Sequence, residues 1–262
     1  MMNGDVRPAA VAGTFYEGDA RALERSVDDM LAHAARSDAP SPKVIIVPHA
    51  GHVYSGPIAA TAYASVTNAD AIERVVLVGP SHRVRLEGVA APSVRALRTP
   101  LGDVVVDRDA IDRAGIPMSD APHAREHSLE VQLPFIQRVF PKARVCPIVC
   151  GHASTRAVAT VLERLWGGPE TLVVVSTDLS HYLPYAVGRE MDTRTAKKIV
   201  ALDSDLSGDD ACGYVGLRGL LEIARTKGLV CRLLDLRSSG DTAGRARDEV
   251  VGYGAFALSE GA

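Results

Sequence analysis

Six short runs along the chain are apolar at nearly every position and rich in β-branched residues. They are KVIIVP at 43–48, RVVLVG at 74–79, RVCPIVCG at 144–151, TLVVVS at 171–176, LVCRLLD at 229–235, and 250–258. Apolarity without alternation means that both faces of each strand are covered. Between the runs, apolar positions take helical spacing over 19–36, 58–66, 128–140, 155–166 and 209–227. This alternation predicts an α/β fold, a three-layer αβα sandwich whose central sheet is largely parallel or mixed. Asp19 and Ser154 stand where N-caps belong, and Gly228 stands where the last of these helices should stop. Pro134 falls inside 128–140, where an interior proline costs about 3 kcal/mol, so the helix proper should begin near it. No Ser/Gly/Pro-rich linker or repeat divides the 262 residues, and one domain over 1–262 is expected.

Charge and composition narrow the function classes. Lys and Arg total 29 against 32 Asp and Glu, a formal charge of -3, which provides no basic footprint for nucleic acid or anionic lipid. The longest apolar runs fall well short of the roughly 20 residues that span a bilayer. The opening MMNGDVRPAA lacks a signal-peptide pattern, so a cytoplasmic protein is expected. Cys146, Cys150, Cys212 and Cys231 form no CxxC pair and should be reduced thiols.

The histidines carry the chemical signal. Four of the eight directly follow a predicted buried strand: His49 in VIIVPHAGH, His82 in VVLVGPSHR, His152 in PIVCGHA and His181 in VVVSTDLSHY. In an open α/β sheet the carboxyl ends of the strands form the ligand crevice, so side chains from separate loops can converge there. Convergent neutral imidazoles point to a metal ion, although no HExxH, Cys/His finger or EF-hand loop is present. Acidic residues accompany these loops: Asp178 lies three residues before His181, and Glu126 and Glu130 bracket the segment containing His127. One of them could orient an imidazole by accepting its other N–H; a charged helix N-terminus is the alternative for Glu126 and Glu130. Ser81 and Ser180 neighbour histidines without a GxSxG elbow, which argues against a serine hydrolase. On these grounds alone Cys212 reads as a small packed residue.

The segments AGTFYEGD, VPHAGHVYSGPIAATAY, VLVGPSHR, RTPLGDVVVD, EHSLEVQLPF, VSTDLSHY and VGYGAFAL occur in this order and cover nearly the whole chain. They resemble the Memo family, called system protein B of the AmmeMemoRadiSam group in prokaryotes. That family in turn resembles the catalytic subunit of class III extradiol ring-cleaving dioxygenases, which are non-haem iron enzymes with an αβα fold. The resemblance implies a metal site at His49, His82 and Cys212, with cysteine where the dioxygenases have a carboxylate. It implies His181 as acid–base residue, Asp178 and His127 as further catalytic candidates, and His52 and Glu126 as supports for the ligands. The cofactor implied is a transition metal ion, iron foremost, with copper or zinc as alternatives. The function implied is metal-dependent redox or oxygenase chemistry on a small organic substrate. A peptide- or partner-binding adaptor with a vestigial cleft and a metal-dependent hydrolase are the alternatives. Expected partners are a small-molecule substrate or peptide, together with AMMECR1-like and radical SAM proteins, and neither nucleic acid nor membrane.

Overall fold

The computed structural model describes residues 5–35, 39–243 and 247–261; Arg36, the last residue of the first predicted helix, lies outside them. The strands are β1 (Val6–Arg7), β2 (Val44–Val47), β3 (Arg74–Pro80), β4 (Val89–Ala90), β5 (Ala96–Thr99), β6 (Gly102–Val105), β7 (Arg144–Cys150), β8 (Thr171–Ser176), β9 (Leu229–Ser238) and β10 (Gly252–Glu260). A seven-stranded sheet has the order β4-β7-β3-β8-β2-β10-β9, and a small sheet has the order β1-β5-β6. Each of the six apolar runs falls on a strand of the large sheet. Its centre, β7-β3-β8-β2, is parallel, while β10 and β4 join antiparallel, so the sheet is mixed.

The helices are α1 (Ala20–His33), α2 (His52–Ala64), α3 (Arg108–Arg113), α4 (Ala121–Ala124), α5 (Leu133–Val139), α6 (Thr155–Leu165), α7 (Tyr185–Val200), α8 (Tyr214–Thr226) and α9 (Ser239–Thr242). Alternate residues of β3 show how they cover two faces. Val78 meets Gly216 of α8, whereas Gly79 faces Ser128 and Leu129, on the approach to α5. Glycines at 216 and 219 allow α8 to lie close to Val78 and to Val158 of α6, where a side chain would collide. The αβα sandwich follows.

The predicted caps are present: Asp19 accepts from the Ala22 N–H, Ser154 accepts from Ala157, and Gly228 has φ +68°. Pro134 occupies the first turn of α5, preceded by a short 3₁₀ turn at Glu130–Gln132. Several boundaries move, two helix starts most. Helix α2 begins at His52 rather than 58, and α8 at Tyr214 rather than 209, because the acidic stretch before Cys212 forms turns. No helix among the described residues is long and apolar enough to cross a membrane.

Candidate metal centre

The order β3-β8-β2 puts the loops after three parallel strands side by side. His49 lies two residues beyond β2 and His82 two beyond β3, and the Ser176–Asp178 segment at the end of β8 sits between them. The loops bend inward, so the rings of His49 and His82 meet edge to face with centroids 5.2 Å apart. His127 stacks on His82 at 4.8 Å and meets His49 edge-on at 5.5 Å. One ring nitrogen from each of His49, His82 and His127 lies within 4.8 Å of the others, a grouping that could hold a metal ion.

Hydrogen bonds determine which nitrogen each ring offers. The Ser176 hydroxyl donates to the Ser128 carbonyl at 2.7 Å, so its lone pairs accept from Gln132 Nε2 and from His49 Nδ1, each at 3.0 Å. His49 is thereby protonated on Nδ1 and keeps a lone pair on Nε2. Likewise His82 Nδ1 donates to Glu126 Oε1 at 2.9 Å, which frees His82 Nε2. Glu126 also accepts the backbone N–H groups of His82, His127 and Ser128. These bonds outweigh its burial and hold its pKa down at about 2. His127 Nδ1 is buried and has no hydrogen-bond partner; Glu126 Oε1 is 3.4 Å away without suitable geometry.

Burial, reinforced by mutual repulsion, pushes the His49 pKa down to about 3 and that of His127 to about 4, so both rings are neutral near pH 7. The neutral rings of His49 and His127, the His82 ring held by Glu126 through Nδ1, and the unpartnered Nδ1 of His127 fit a transition metal ion.

Cys212 precedes α8, and its sulfur lies 3.3 Å from His49 Nε2. Burial, followed by the charge of Asp178, pushes its pKa up to about 12, so in the absence of a cation the thiol is protonated. Its sulfur also accepts the Asp178 N–H at 3.3 Å. Cys212 touches His49 but is not part of the three-histidine group.

Asp178 Oδ1 accepts the His49 N–H at 2.7 Å, fixing the PHAG turn; burial raises its pKa. His127, Asp178 and His181 line a cavity of 440 Å³ beside the histidine group. His52 lies apart from it: Nε2 donates to the Val131 carbonyl at 3.0 Å, and the ring packs between Tyr16 and Phe135. His152 is 85 % exposed in its side chain and pairs with Glu87. The two acids of EHSLE divide their roles, since Glu130 binds Arg7 and Tyr16. Ser176 and Gln132 were not singled out in the sequence, although a polar residue closing an apolar strand at its carboxyl end was the available sign for Ser176.

The description "Memo-like protein" matches the chain over residues 7–257. A MEMO1 family protein of Methanothermobacter thermautotrophicus is 34% identical, over 95% of this chain and 98% of its own. MEMO1 family proteins of Caldivirga maquilingensis and Ignicoccus hospitalis are 32% and 35% identical, over 96% and 95% of this chain and 98% and 97% of theirs.

Proposed function

The chain belongs to the Memo-like protein family, and on that premise we propose that it is a metal-dependent enzyme performing redox or oxygenase chemistry on a small organic substrate. The carrying observation is the set of three imidazole nitrogens within 4.8 Å of one another, beside a cavity that His181 and Asp178 also line. His49 and His82 are the fixed ligands. His127 completes the most compact set; Cys212, against His49 Nε2, is the third ligand that the family resemblance implies. An iron ion bound there would supply a redox-active Lewis acid with open coordination positions.

The chain's own groups do the rest. Ser176 and Glu126 keep Nδ1 of His49 and of His82 engaged, so that each Nε2 stays free as an acceptor. Asp178 holds the His49 backbone. His181, on the cavity wall, exchanges a proton with the substrate as general acid or base. Phe15 packs on His127 at 4.8 Å and limits water on that side.

The test is metal content after anaerobic iron(II) reconstitution, followed by oxygen uptake with small phenolic substrates. Wild type should retain about one ion per chain, and His49→Ala and His82→Ala should lose it. His127→Ala and Cys212→Ser distinguish the two candidate third ligands. Unchanged metal content in both His49→Ala and His82→Ala contradicts the reading.

A further inference from the structure

The cavity beside the histidine group is lined by Phe15, Tyr54, Tyr182 and Tyr253, and Glu249 stands on the same wall. No lysine or arginine is among its described lining residues. Three tyrosines converge here: the Tyr253 hydroxyl is held well above its ordinary range first by burial and then by Asp178, with Tyr54 and Tyr182 adding to the effect. Tyr182 is 70% exposed and has φ 56°, a left-handed conformation that an aromatic residue rarely adopts. Such backbone strain persists only where the surroundings enforce it. Its ring lies 5.8 Å from that of His181.

Aromatic faces carry negative quadrupole charge and attract cations, and Glu249 adds a carboxylate at the surface. At that wall a substrate carboxylate or phosphate would meet these groups with no lysine or arginine among the described lining residues to offset them. The volume of 440 Å³ suits a small ligand. We propose that this cavity takes small organic amines, with the ammonium group against Glu249 and the tyrosine faces and the remainder directed toward His127 and His181. The inference rests on the functional reading above in taking this cavity as the substrate's.

The test uses the full chain at neutral pH, with metal content measured on the same sample. Calorimetric titration compares phenethylamine, 2-phenylethanol and 3-phenylpropionate, which pair a phenyl ring with an ammonium, a neutral and a carboxylate end. Phenethylamine should bind about tenfold more tightly than 3-phenylpropionate, with 2-phenylethanol between them. Glu249→Gln should reduce the preference to about threefold or less, and Tyr182→Ala should weaken the amine selectively. Equal binding of the three, preference for the carboxylate, or no binding of any would overturn the inference. Amine preference without retained metal would support the cavity's selectivity and count against the metal reading, whereas retained metal without preference would do the reverse.

Discussion

Glu130→Gln should destabilise the protein out of proportion to a one-atom change. The carboxylate is fully buried and pairs with Arg7 Nη1 at 2.7 Å, while Arg7 is itself only 3% exposed in its side chain. It also accepts the N–H of Ala10 at 2.8 Å, that of Val11 at 2.9 Å and the Tyr16 hydroxyl at 2.6 Å. Glutamine keeps the volume but leaves the guanidinium without a counter-charge and turns an amide donor toward groups that are themselves donors. Breaking a buried pair from one side costs about 3–5 kcal/mol. With an unfolding entropy near 2.1 cal/mol/K per residue, that loss lowers the melting temperature by about 5–9 °C in a chain of this length. Urea denaturation followed by circular dichroism measures the change. Removing both charges, by Arg7→Met with Glu130→Gln, should recover part of the loss. The site should register the change as well, since Glu130 ties down the segment that carries Phe15 onto His127. A loss below about 1 kcal/mol would mean that the buried guanidinium, left with the His123 and Glu126 carbonyls, needs no counter-charge, against this expectation.

Three further outcomes are expected. Glu126→Gln weakens the hold on His82 Nδ1 and should reduce metal affinity by about 10–100-fold, measured by chelator competition. Gly252→Ala places a methyl group against the Asp192 carboxylate, which accepts the Ser180 N–H at 2.9 Å. It should cost about 1–3 kcal/mol in urea denaturation and shift the His181 ring resonances. Burial depresses the pKa values of His52 and His123 to about 4, against about 6.5 when unfolded. Over that interval the unfolded chain binds protons that the folded chain refuses, so this stabilisation is complete above about pH 6.5 and drains away as pH falls toward 4. Urea midpoints of metal-free protein at several pH values should fall accordingly, and a flat profile would contradict the assignment.

The large sheet was legible because a strand covered on both faces must be apolar throughout, and runs such as TLVVVS allow few other readings. The positions of His49 and His82 were legible for a related reason: both follow parallel strands, whose carboxyl ends gather their loops. Position alone did not separate them from His152, which follows β7 and points to solvent, because β7 lies on the far side of β3 from β8 and β2. The role of His52 was not visible. Starting α2 at His52 sends its ring into the core between Tyr16 and Phe135, and spacing within PHAGH does not reveal that rotation. Helix α7 is largely polar and charged, with a weak apolar stripe, and β5 and β6 are short strands beside the main sheet. Neither feature leaves a strong periodic trace. The Glu130–Arg7 pair joins residues 123 positions apart, and no local pattern encodes such a contact.

The central proposal is that His49 and His82, with His127 or Cys212 as third ligand, hold one metal ion. Crystals of anaerobically reconstituted protein, with anomalous diffraction collected at the iron, copper and zinc edges, test it most directly. A single strong peak bonded to His49 and His82, with His127 or Cys212 completing the set, is the expected result. An ion-free histidine group in reconstituted protein, or a peak bound elsewhere with the histidines unchanged, would contradict it.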